Sequence, residues 1–325
     1  MKLRIFLKSV LAIASIAVCA AASAQIATNR GPVRIIVGYP AGGSADAIAR
    51  NMSERMAVEL GTTVVVENRT GAGGQIAADY VRTSPPDGLT ILLSNMHMMV
   101  TLPLTSKSVK YDPLKDFKAV GRIASFNEVI SVPVAMPAKD IKQWLDVARA
   151  DPSKAVYGVP SPGSLPQFMG FKMGADSKTP LLAAPYRGSA PLVQDLLGNQ
   201  ISAGITPISD VYPHMQSGKL RILAVNGTKR AALIPDVPTL RELGMTDFDN
   251  LEWVGFFVPP GTPAAIVAQL HTVLEKTLAN KDVTANMAKL SLTPDISTPE
   301  ELMRLVADDL ARWAPIIKAS GFTSE

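Results

Sequence analysis

Short β-branched runs alternate along the chain with longer stretches whose apolar residues recur every three or four positions. Residues 33–37 (VRIIV) read as a first strand, and 46–60 follow as a helix with Ile48, Met52, Met56 and Leu60 on one face. Residues 63–66 predict a second strand and 75–83 a second helix, and Pro85-Pro86-Asp87-Gly88 turns into a third strand at 90–93. The middle repeats the rhythm, with strands at 129–134, 155–159, 201–205 and 221–225 and helices at 166–174 and 191–197. A strand at 253–258, a turn at Pro259-Pro260-Gly261 and helices at 264–280 and 299–319 complete it. This alternation predicts an α/β protein with largely parallel sheets. No fixed-period repeat, low-complexity tract or long Gly/Ser linker divides the chain. Two passages, near 122–130 and 250–256, are read as crossings between two lobes, where a few residues can act as a hinge.

The N-terminus breaks the pattern. Lys2, Arg4 and Lys8 precede an apolar run over 10–20, and Ala22-Ser23-Ala24 follows as a small-x-small site. That order is a secretory leader, expected to be cleaved after Ala24, and the run is shorter than the roughly 20 residues a membrane span needs. Cys19 raises a lipoprotein reading, but Val18 stands where a small residue would be wanted. Cleavage removes Cys19, the one cysteine of the 325 residues, so the mature chain has no disulfide and no thiol nucleophile. About 300 residues can bury a sufficient core without such staples.

Removing Lys2, Arg4 and Lys8 also lowers the formal net charge from +4 to +1. The remaining charges are scattered, so nucleic acid is not an expected partner. His97, His214 and His271 have no metal-ligand spacing, and no Gly-x-Ser-x-Gly elbow is present. Gly71-Ala72-Gly73-Gly74 lacks the strand and distant acid of a dinucleotide fingerprint. No metal and no cofactor are expected. The rival readings are a secreted hydrolase, a two-lobe enzyme acting on a small carboxylic acid, and a porphobilinogen-type cofactor enzyme, which would want a cofactor-bearing cysteine.

Several strand-to-helix turns share one design. They are Tyr39-Pro40-Ala41-Gly42-Gly43-Ser44-Ala45-Asp46, Ser161-Pro162-Gly163-Ser164-Leu165-Pro166 and Tyr186-Arg187-Gly188-Ser189. Glycine lets backbone approach a ligand, and the free N–H groups of a helix start attract anions. In open α/β sheets, ligands bind beyond the strand C-termini, where these turns lie.

In seven stretches the chain resembles the Bug/TctC family of extracytoplasmic solute-binding receptors of tripartite tricarboxylate-type transporters. They are 39–50, with its Pro-x-Gly-Gly-x-x-Asp-x-x-Ala-Arg spacing; 66–74 (VENRTGAGG); 86–90 (PDGLT); 185–198, from Pro185-Tyr186-Arg187-Gly188 to Asp195-Leu196-Leu197-Gly198; 218–225 (GKLRILAV); 235–239 (PDVPT); and 253–263, from Trp253-Val254-Gly255 to Gly261-Thr262-Pro263. Together they span essentially the whole mature chain. The resemblance implies a two-lobe periplasmic binding protein fold, type II-like, with a ligand cleft that closes between the lobes. Lobe 1 would hold 25–124 and 254–325, and lobe 2 would hold 125–253. It further implies a carboxylate held by backbone amides, hydroxyls and ordered waters, no catalysis, transporter membrane subunits as partners, and a monomer.

The residues expected at the cleft are Tyr39, Ala41, Gly42, Gly43, Ser44 and Asp46 on the first turn, and Ser94, Asn95 and His97 after the third strand. Gly163, Ser164, Gln167, Tyr186, Gly188 and Asp210 join them from the second half. Many relatives carry histidine near Gln167, and small polar residues where this chain has Met96-His97-Met98-Met99. Asp46 either binds a ligand ammonium or supports the helix start. Met96, Met98, Met99 and Phe168 either wall the cleft or pack inward. The cleft turns carry few basic residues, which points to a mono- or dicarboxylate with an apolar body rather than a tricarboxylate.

Overall fold

The computed structural model describes residues 26, 31–290 and 292–324, so the expected leader and its cleavage point lie outside the described residues. The first stretch runs β1 (Val33–Val37), α1 (Ser44–Leu60), β2 (Val64–Asn68), α2 (Gln75–Arg82) and β3 (Thr90–Asn95). A single π-type turn (His97–Thr101), α3 (Leu102–Thr105) and β4 (Lys118–Phe126) follow. The second comprises β5 (Glu128–Pro133), α4 (Ile141–Ala150), β6 (Val156–Val159), α5 (Leu165–Ser177), β7 (Leu182–Pro185), α6 (Ser189–Leu197), β8 (Ala203–Pro207), α7 (Ile208–Gln216) and β9 (Leu220–Val225). The last holds β10 (Glu252–Val258), α8 (Ala264–Leu278), α9 (Lys281–Lys289), β11 (Thr293–Pro294) and α10 (Pro299–Ser320).

These strands make two sheets. One has the order β11-β4-β10-β3-β1-β2, the other β7-β6-β8-β5-β9. β1 lies parallel to β2 and β3, and β6 lies parallel to β7 and β8. β10 runs antiparallel to β3 and β4, and β5 antiparallel to β8 and β9. Both sheets are therefore mixed: parallel βαβ units carry the helix starts, and antiparallel strands carry the chain between sheets.

The chain leaves the first sheet at Phe126 and enters the second at Glu128, with Asn127 alone between them. It returns at Glu252, which pairs with Phe126, so the two crossings lie side by side. A buried polar knot ties them. Asn226 Oδ1 accepts from Glu128 N at 2.8 Å, Asn226 Nδ2 donates to Asn250 O at 2.7 Å, and Asn127 Nδ2 donates to Asn226 O at 2.9 Å. Behind it, Trp253 Nε1 and Asn250 Nδ2 both donate to the Asp309 carboxylate on α10.

The largest core is continuous across both sheets. It joins Ile36, Leu92 and Phe257 to Ile130, Ile205 and Leu223, with Leu302, Val306, Trp313 and Ile317 of α10. Thr298 and Glu301 start α10 with reciprocal capping bonds, and Gly321 ends it in left-handed conformation. Past that end, Phe322 meets Phe168 of α5 edge to face at 5.9 Å, and Ser324 N donates to Thr105 O at 2.9 Å. The C-terminus thus straps the second sheet's helix layer to the first. The other face of the first sheet packs Met52 and Met56 of α1 and Leu270 and Leu274 of α8.

Candidate functional site

Two adjoining cavities open between the sheets and share Tyr39, Asn95, Phe126 and Pro207 in their walls. The larger encloses about 490 Å³ and the smaller about 200 Å³. The larger alone lies within the range of small-molecule sites. Helix starts from both sheets reach the walls. Ser44 and Ala45 of α1, Ser189 of α6, and Ile208 and Ser209 of α7 line the smaller cavity, and Ser164 and Pro166 at the start of α5 line the larger. First-turn N–H groups have no partner within their helix, so these ends supply donors and partial positive charge.

The turn after β1 is fixed from beneath. Gly42 takes a φ of 81°, open to glycine at little cost, and its N–H donates to Asp46 Oδ2 at 2.9 Å. Arg50 Nε donates to the same oxygen at 2.9 Å, and Asn68 Nδ2 donates to Asp46 Oδ1 at 3.0 Å. The Arg50 and Gly42 hydrogen bonds hold the Asp46 carboxyl down at about 2 despite its burial. On the same sheet, Tyr39 Oη donates to Asn95 Oδ1 at the end of the neighbouring β3 at 3.0 Å, and that oxygen also accepts from Met98 N. Burial raises the Tyr39 phenol, so it stays a donor.

His97 is partly buried on the π-type turn, with Nδ1 at 2.8 Å from Thr101 Oγ1. Burial pushes its imidazole down to about 4, leaving it neutral near pH 7. Gly73 makes room for it, since a Cβ there would stand 3.1 Å from His97 Nε2. No Lys or Arg lines either cavity among the described residues, while Glu128, Glu252 and Asp210 do. Any anion here is met by backbone dipoles and neutral donors.

The family model of the tripartite tricarboxylate transporter family receptor, TctC, matches residues 48–322. This chain belongs to that family. Protein BugT of Bordetella pertussis is 31% identical over 310 residues, covering 95% of each chain. An adipate-bound protein of R. palustris is 29% identical with a TM-score of 0.78, covering 90% of this chain and 98% of its own. MatC of Rhodopseudomonas palustris with bound malate is 26% identical with a TM-score of 0.75, covering 88% and 98%. The receptor accordingly has the two-lobe α/β fold of periplasmic solute-binding proteins, as its sequence led us to expect.

Within the receptor's cleft, the walls include Tyr39, Ser44, Ser94, Asn95, His97, Ser164 and Asp210 of the expected set. The others stand behind or beside them. Ala41, Gly42 and Gly43 are exposed on the first turn, and Asp46 is buried beneath it. Gln167 Oε1 accepts from Gly163 N at 2.8 Å, so this pair shapes the α5 turn. Tyr186 Oη donates to Asp195 Oδ2 at 2.6 Å, and Gly188 is exposed at the start of α6. Arg187 is exposed and lines neither cavity.

Between the two roles open to the methionines, the structure selects packing. Met96, Met98, Met99 and Phe168 are fully buried in the main core, because the π-type turn directs 96–100 back under the first sheet. The apolar wall comes instead from Leu102, Phe126, Pro160, Pro166 and Pro207. Sequence reasoning missed Glu128 and Glu252, which open the two crossing strands. Their position at the crossings was the available signal.

Proposed function

We propose that this receptor is exported with cleavage after Ala24, and captures a mono- or dicarboxylate with an apolar body in the cleft between lobe 1 (25–124 and 254–325) and lobe 2 (125–253). The carrying observation is that helix starts from both sheets line a cleft with no Lys or Arg in its walls among the described residues. One helix end acts like roughly half a positive charge, so one carboxylate per lobe can be satisfied. A third would be desolvated unpaired, beside Glu128, Glu252 and Asp210, at a cost of several kcal/mol. The malate and adipate held by two similar structures fit this limit. Tyr39, Ser44, Ser94, Asn95, His97 and Ser164 supply polar contacts, with Gly43 and Gly188 exposed at the starts of α1 and α6. The protein acts as a monomer, changes no bond in its ligand, and hands it to transporter membrane subunits or to a sensor. Calorimetry with malate, adipate and citrate tests this. Malate or adipate is expected to bind and to be recovered unchanged, with citrate weaker by about tenfold or more. Tight citrate binding with no response to the other two overturns it.

A further inference from the structure

Glu128 is 1% exposed and lines the larger cavity, yet its Oε2 has no hydrogen-bond partner. A buried carboxyl oxygen left unpaired is costly and calls for a partner absent from the free protein. Glu252, 8% exposed, lines the same cavity from the neighbouring crossing. Asp210 lines the adjoining one, beside Ser94, whose buried Oγ is also unpartnered. The acid that could have served a ligand cation on the first turn, Asp46, is already occupied by Arg50, Asn68 and the Gly42 amide. Nothing comparable satisfies Glu128, and no protein cation reaches the cavity walls among the described residues.

Resting on the carboxylate reading above, we propose that the cleft takes a ligand bearing a protonated amine as well as a carboxylate, with Glu128 and Glu252 binding the ammonium group. The ligand's two ends then meet opposite features, with carboxylate at the helix starts and ammonium at the crossing acids. Both acids sit on strands through which the lobes are joined, so the ammonium would bridge the two crossings. A charge-assisted hydrogen bond to an otherwise unpaired carboxylate is stronger than a neutral one.

The groups facing Glu128 set the proton balance. Glu252 faces it from β10 and Asp210 from α7, both acidic. Tyr39 and neutral His97 share the cavity wall, and Asp309 lies behind Glu252 with Arg312 and Asp308 near it. Burial and this mutual repulsion raise the Glu128 carboxyl well above its ordinary range, which favours its protonated form in the free protein. An arriving ammonium displaces that proton to solvent.

The test compares 6-aminohexanoate with hexanoate and adipate, and 4-aminobutanoate with butanoate and succinate, by calorimetry. At least one amino acid is expected to bind about tenfold or more tighter than its matched monocarboxylate, with proton release shown by buffers of different ionisation enthalpy. In Glu128→Gln or Glu252→Gln that advantage should shrink towards unity while dicarboxylate binding persists. The proton release is read on the wild type, so a variant that fails to fold leaves the test intact. If neither amino acid exceeds its monocarboxylate, or both variants keep the advantage, the proposal is overturned, whereas the carboxylate reading survives if adipate or succinate binds. If none of the six compounds binds, both fall.

Discussion

The turn after β1 surrounds its buried carboxyl with donors, whereas the paired crossings bury Glu128 with one oxygen unpartnered and Glu252 beside it. Asp46 is drawn down to about 2 by the Arg50 and Gly42 hydrogen bonds, and Glu252 is driven up to about 7 by burial, with Asp309 adding to it. The same chemical group is thus a charged brace in one place and a proton holder in the other. Supply of donors decides between them, since both are buried. The braced region can be explained entirely from within the chain. The unbraced one is completed only by something outside it.

Removing the brace should have the largest effect on the turn. Asp46→Ala removes the acceptor of the Gly42 amide, the partner of Arg50 and one of the two acceptors of Asn68 Nδ2, which keeps Tyr39 O, and is expected to cost about 1–2 kcal/mol in chemical denaturation. A loss under about 0.5 kcal/mol would mean that water replaces the carboxylate and that the turn needs no brace. The pH response should differ in sign between the two regions. Asp46 has a lowered pKa, so its stabilisation is present above its unfolded value of 3.8 and is lost as pH falls through about 2. Glu252 has a raised pKa, so its contribution is complete below its unfolded value of 4.5 and is lost as pH rises through about 7. On raising pH from about 4.5 to 7.5, the free protein is therefore expected to lose on the order of 2 kcal/mol through Glu252, and Glu252→Gln should make the decline shallower by that amount, the raised Glu128 and Asp309 carboxyls supplying the rest. An unchanged slope in the variant would place the titration elsewhere.

How far the sequence announced these features depended on where each signal lay. The βαβ units were legible because β1 is a short β-branched run, α1 repeats apolar residues at Ile48, Met52 and Met56, and Gly42 marks the turn between them. β4 was not, because its pairing with β10 shifts register at two irregularities, which breaks the period-two pattern. α7 was hidden by Pro213 inside it, and β7 by its four-residue length at a sheet edge. α4 was overlooked although Asp140 caps it and Ile141, Trp144, Leu145 and Ala148 share its buried face. At the site, glycine-rich turns were visible as local motifs. Glu128 and Glu252 were not, because they lie far apart in sequence and meet only through the pairing of Phe126 with Glu252.

The smallest expected effect separates two neighbouring glycines on the braced turn. Gly42 sits at a φ of 81°, where an L side chain is strained although a Cβ would meet nothing within 4 Å. Gly43 has φ −78° and ψ 171°, ordinary extended backbone, and its Cβ would stand 3.2 Å from Pro40 O. Gly42→Ala is therefore expected to cost about 1 kcal/mol through conformation alone. Gly43→Ala asks only that Pro40 O yield by a few tenths of an ångström, and should cost no more than about 0.5 kcal/mol. Ligand affinity should show the opposite order if the α1 start holds a carboxylate. Gly43 adjoins the free amides of Ser44 and Ala45, so bulk at this position, and Gly43→Val most of all, should weaken carboxylate binding in a folded protein. Denaturation and calorimetry on the same two alanine variants read both quantities. If Gly43→Val folds and binds with wild-type affinity, the α1 start is not where the carboxylate sits, and the α5, α6 and α7 starts would have to hold it.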